Sequence, residues 1–148
     1  MATDLKLKYG SATALTVTGL NSLASAGYAT SNAVDNTTNL YLDYLVELTV
    51  ANVVEAGNFQ LTVYAISSLD GTNYSDNQTN NQPWAFKYVG LLPVNGTGPW
   101  RSAAMSVASA FNGSIPPYFK IVVYNDAGVT LAASGNSVQY VGVLHQSV

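Results

Sequence analysis

A chain of 148 residues with 48% apolar side chains is long enough to bury the core of one domain and too apolar for intrinsic disorder. Charged residues make up only 9%, against about 25% in ordinary globular domains, and the net charge is −3, which argues against a basic nucleic-acid-binding surface. The absence of cysteine and the presence of one histidine, His145, remove thiol chemistry, disulfides and ordinary zinc sites.

From the N-terminus, Leu5, Leu7 and Tyr9 alternate with polar residues, and Ala14–Thr18 favours β structure. A stretch rich in Ser, Ala, Thr and Asn follows over Ser22–Asn39. Residues 1–39 read either as opening strands of the domain or as an arm reaching a neighbour. The first residues, Met1-Ala2-Thr3-Asp4-Leu5-Lys6, lack the charged-then-apolar layout of a signal peptide, so synthesis and retention in the cytoplasm, or release by lysis, is expected. No apolar run reaches the roughly 18–20 residues that span a bilayer, and no polybasic stretch suggests a membrane surface.

Leu40, Leu42, Tyr44, Val46, Leu48 and Val50 alternate with Tyr41, Asp43, Leu45, Glu47 and Thr49, which predicts a strand with one apolar face. Phe59–Ile66 repeats the pattern after a hairpin connection over Asn52–Asn58. Residues 70–83 form a long polar loop of a length that compact domains rarely leave unused. Trp84–Gly90 reads as a strand, Pro93–Pro99 as a turn, and Ser102–Phe111 as a strand despite its alanines. Tyr118–Asn125 is a clear strand ended by Asp126-Ala127-Gly128; Val129–Ala132 and Val138–Leu144 complete the set. About eight strands with regular turns predict a single all-β domain over 1–148, an antiparallel β-sandwich closed as a jelly roll.

Catalytic chemistry finds little support. A Ser–His–acid triad would depend on His145, and no G-x-S-x-G elbow is present. Asp43 and Glu47 share one strand face but stand roughly 13 Å apart at ~3.3 Å per residue, too far for a glycosidase pair by themselves. Asp70, Asn73 and Asp76 offer oxygen ligands for calcium, but an Asp-Gly turn explains them more simply. Gly96-Thr97-Gly98 matches no phosphate-binding fingerprint. Five N-x-[ST] sequons, at Asn36, Asn73, Asn77, Asn95 and Asn112, follow from the Asn/Ser/Thr-rich loops. No enzyme activity, cofactor or metal is expected.

Ten tyrosines with Trp84 and Trp100 supply the amphipathic rings of a binding surface. Tyr44 belongs to the apolar face of its strand, and Tyr124 is a second core candidate. Tyr74, Trp84 and Trp100 lie beside loops, where they either cap the core or stack on a sugar or protein partner. Arg101 next to Trp100 adds a second hot-spot residue type.

Three blocks carry a resemblance. They are Lys8-Tyr9-Gly10-Ser11-Ala12-Thr13-Ala14-Leu15-Thr16-Val17, then Ala33-Val34-Asp35-Asn36-Thr37-Thr38-Asn39-Leu40-Tyr41-Leu42-Asp43, and then the run from Ile115-Pro116-Pro117-Tyr118 through Gly128, continuing over Gly135–Tyr140. Together the chain resembles small virion structural proteins of tailed bacteriophages, in particular jelly-roll capsid decoration or cement proteins. The resemblance implies binding to the major capsid protein, self-association as a dimer or trimer, and a place on the capsid surface after synthesis in the host cytoplasm. Lys6, Lys8 and Tyr9 are the candidate residues of an N-terminal arm that adds a strand to a neighbour. The alternative is a phage tail or fibre module that recognises a host surface glycan through Tyr74, Trp84 or Trp100.

Overall fold

The computed structural model describes residues 4–51, 53, 59–75 and 85–147. In chain order, β1 (Leu5–Tyr9), β2 (Thr13–Leu15), β3 (Val17–Thr18), β4 (Tyr28–Ser31) and β5 (Val34–Asp35) precede a single helical turn, α1 (Asn36–Asn39). Then come β6 (Asp43–Val50), β7 (Phe59–Ser68), β8 (Lys87–Val94), β9 (Trp100–Arg101) and β10 (Met105–Ser106). A second helical turn, α2 (Val107–Ala110), leads to β11 (Tyr118–Asp126) and β12 (Ser137–Ser147).

The strands form two antiparallel sheets. The first runs β1-β12-β6-β10, with β2 continuing along β12 and β9 along β6. The second runs β3-β4-β11-β7-β8, with β5 continuing along β11. Neighbours within a sheet are mostly distant in sequence. Taken as ribbons, β1–β2, β4–β5, β6, β7, β8, β9–β10, β11 and β12 have the order of a double-sheet jelly roll.

Strict alternation produces the core. Tyr44, Val46, Leu48 and Val50 of β6 point inward, as do Leu61, Val63 and Ala65 of β7 and Phe119, Ile121 and Val123 of β11, all fully buried. The Tyr44 and Phe119 rings meet edge-on at 4.9 Å between centroids and join the two sheets. Each such aliphatic side chain contributes about 1.5–3 kcal/mol by leaving water.

Several boundaries differ from the sequence reading, each for a local reason. The strand expected from Leu40 starts at Asp43. The Asp35 carboxylate accepts a 2.7 Å hydrogen bond from Thr37 N–H, capping α1, and Leu40 ends that turn in a left-handed conformation at φ 50°. Leu40 is therefore 72% exposed rather than core.

Ser102–Phe111 is only partly strand. The Asp43 carboxylate accepts from Ser106 Oγ at 2.7 Å and Ala108 N–H at 2.8 Å, and Ser106 Oγ accepts from Ser109 N–H, so the chain turns helical at Val107. Val129–Ala132 is not a strand; it is tied down by Asn125, whose Nδ2 donates to the carbonyls of Val129 and Leu23. β8 continues through Pro93 into the expected turn, which a proline permits because β8 is a sheet edge. Most of the Asn52–Asn58 connection, residues 76–83 of the polar loop and Trp84 lie outside the described residues.

Candidate functional site

The N-terminal segment folds against its own sheet: β1 pairs with β12 in the register Leu5↔Ser147, Leu7↔His145, Tyr9↔Val143. Directly opposed residues of paired strands share a face. From β1 across β12 to β6, Leu5, Leu7, Tyr9, His145, Val143, Val141 and Leu45 therefore lie on the outer face of the first sheet. On β1 that face is open to solvent, with Leu5 68%, Leu7 58% and Tyr9 58% exposed. Lys6 and Lys8 have the opposite parity, but they are exposed as well because β1 extends past the core.

A depression of about 310 Å³ adjoins Tyr9 on this face, bounded by Leu45, Glu47, Ala104, Gln139 and Val141. Glu47 Oε1 accepts from Gln139 Nε2 at 2.7 Å and lies 3.5 Å from Arg101 Nε. The Arg101 side chain is largely exposed, so this ion pair contributes at most about 1 kcal/mol. Asp43 shares the outer face with Glu47, yet each carboxylate is held by its own internal donors.

Trp100 and Arg101 do not form one patch. Trp100 opposes Val50 and packs against the core, whereas Arg101 opposes Thr49 and turns outward. The Trp100 indole N–H is buried with no hydrogen-bond acceptor among the described residues.

Tyr74 lies in the loop after β7 on the other side of the molecule. Lys120 Nζ sits 4.0 Å above the Tyr74 ring centroid, a cation–π contact, and the buried Tyr74 hydroxyl has no hydrogen-bond partner among the described residues. Burial, with Tyr118 nearby, pushes its pKa up. The adjoining depression of about 380 Å³ is bounded by Ser68, Leu69, Asp70 and Asn73. Asp70 accepts from the Asn73 backbone, the Asn73 side chain, the Thr72 backbone and the Ser68 hydroxyl, which hold its carboxyl well below the usual carboxylate range. Its oxygens thus stabilise a turn. Among the described residues, no three His, Cys, Asp or Glu side chains cluster as metal ligands.

One aromatic group was not found in the sequence. On the outer face of the second sheet, Tyr124 stacks on Tyr28 at 4.7 Å, Tyr28 meets Phe86 at 5.8 Å, Phe86 meets Tyr64 at 5.7 Å, and Tyr64 meets Tyr88 at 6.3 Å. Tyr124 is therefore an outer-face residue rather than core. The signal was the alternation itself, which puts Tyr64 on the face opposite Leu61 and Val63. Burial, followed by the neighbouring Tyr124 and Tyr64, raises the Tyr28 pKa. No helix among the described residues is long and apolar enough to cross a membrane. Compared with known proteins, the chain matches no family model, no curated protein and no solved structure.

Proposed function

We propose that this chain is a non-enzymatic virion structural protein, a cement or decoration protein that binds the major capsid protein and stabilises a bacteriophage shell. The observation that carries the reading is the edge of the first sheet, where Leu5, Leu7 and Tyr9 expose a row of apolar side chains beside strand backbone that is unpaired among the described residues. Such an edge can add a strand from a neighbouring subunit, with main-chain hydrogen bonds giving affinity and alternate side chains giving selectivity. Repetition over a closed shell lets each copy hold weakly while the set holds firmly. The scarcity of charge, 9% of residues, fits a surface meant to be covered.

The alternative, a tail or fibre module for a host glycan, draws on the ring belt of Tyr28, Tyr64, Phe86, Tyr88 and Tyr124. One experiment separates the two. Heads and tails of purified virions are analysed by quantitative mass spectrometry, and isolated heads are mixed with the wild-type chain or with Leu5→Asp/Leu7→Asp. High copy number on heads and loss of binding in the double variant are expected. Low copy number confined to tails would move the assignment to the glycan module, and absence from both would remove the structural reading.

A further inference from the structure

The edge that carries the proposed function also has a directional chemistry. Gly10 N–H donates to the Gly142 carbonyl at 2.9 Å, one step beyond the last β1 pair. Hydrogen-bonded and non-bonded positions alternate along an antiparallel pair. The backbone groups of Lys8 and Lys6 therefore turn inward to β12, and those of Leu5, Leu7 and Tyr9 turn outward to the open edge. An incoming strand would hydrogen-bond at Leu5, Leu7 and Tyr9. Lys6 and Lys8 would then occupy the non-bonded positions, where opposed Cα atoms approach to about 4.5 Å and side chains are closest.

The charge at those positions discriminates between partners. Neither Lys6 nor Lys8 forms an ion pair among the described residues, whereas Arg101 faces Glu47 and Lys120 covers Tyr74. In a full-overlap antiparallel pairing with a second copy, Lys6 would face Lys8 of that copy on both sides of the two-fold axis. Like charges directly opposed are destabilising, and lysines on an edge are a known defence against self-pairing. Defence alone does not explain Leu5, Leu7 and Tyr9, which keep the other face of the same strand apolar and exposed.

We infer that β1 is a docking edge for a heterologous extended segment in which acidic residues alternate with apolar ones. The acidic side chains would lie opposite Lys6 and Lys8, and the apolar ones opposite Leu5, Leu7 and Tyr9. The inference rests on the proposed binding role of this edge and names the chemistry of its partner.

The test uses the full-length, ¹⁵N-labelled chain, titrated with short capped peptides of alternating Val and Glu or alternating Val and Lys. The Val/Glu peptide is expected to shift the Leu5, Leu7 and Tyr9 amides and to bind more weakly as salt rises. Lys6→Glu/Lys8→Glu is expected to weaken it roughly tenfold and to transfer the preference to the Val/Lys peptide, since two cross-strand charge pairs turn from attraction to repulsion. A Val/Glu peptide N-methylated at the bonding positions should not bind. Equal response to both peptides, no response, or undiminished binding of the N-methylated peptide would overturn the inference. No shell is present in this assay, so its failure leaves the head-binding result standing, and failure on heads leaves the peptide result standing.

Discussion

Tyr44→Phe tests the core through its dependence on pH. The Tyr44 ring is fully buried, and its hydroxyl donates to Asn36 Oδ1 at 2.8 Å. Burial pushes its pKa up from 10.0 to about 12. The folded pKa exceeds the unfolded one, so the stabilisation is complete below pH 10 and is lost as pH rises from 10 to about 12, where only the unfolded chain ionises. That difference corresponds to about 3 kcal/mol. At neutral pH the variant loses one buried hydrogen bond, about 1 kcal/mol, because Asn36 Oδ1 keeps the Tyr41 N–H at 2.9 Å. Above pH 10 it also lacks the Tyr44 ionisation penalty, so the two stability curves should cross at about pH 11. Tyr28 and Tyr74, whose pKa values are also raised, contribute to both proteins and cancel in the difference. Urea unfolding followed by tryptophan fluorescence across this range gives both curves. Parallel curves, with a constant offset at every pH, would refute the reasoning.

Gly142→Ala should lower stability by about 1–3 kcal/mol in the same unfolding assay, because a Cβ at Gly142 would overlap the Tyr41 ring that packs over it. Asn125→Ala should cost about 3 kcal/mol, read as a shift in the urea midpoint. It removes the donor to the Val129 carbonyl and the acceptor of the Ala127 N–H, and takes one of two hydrogen bonds from the Leu23 carbonyl, which keeps the Leu131 N–H at 3.0 Å.

The fold was legible wherever alternation was strict. β6 and β7 carry period-two patterns strong enough to fix both the element and the inward face; β11 and β12 were legible as strands, though Tyr124 of β11 was assigned to the wrong face, and four such strands with polar turns already imply a sandwich. What was not legible depended on contacts made at a distance. Nothing near Ser106 in the sequence indicates that Asp43, 63 residues earlier, will accept its hydroxyl and cap the turn that follows. Nothing in Val129–Ala132 indicates that Asn125 will take its carbonyl in place of a neighbouring strand. Tyr64, Phe86, Tyr88 and Tyr124 become one group only after β11, β7 and β8 are set side by side. Lys6, Lys8 and Tyr9 read from the sequence either as an arm reaching a neighbour or as an opening strand; that β1 pairs with β12 of its own sheet, and that the Leu5, Leu7 and Tyr9 backbone turns outward, needed the register.

The two outer faces do not suit the same ligands. A sugar ring stacks on a flat aromatic face, and a linear glycan needs several such faces turned the same way. In the second-sheet belt, successive rings tilt by 30°, 79°, 50° and 75°, so each ring covers the next rather than facing solvent beside it. Tyr88, 55% exposed, is the ring of the belt most open to a ligand. This geometry closes the sheet face with self-packed side chains in place of charge. The β1 edge has the opposite character: its outward backbone groups are unpaired among the described residues, its apolar side chains are exposed, and its two lysines would repel a second copy in full overlap. A surface with those properties gains most from an extended segment of another protein, which is the ground for proposing partner recognition at the first sheet.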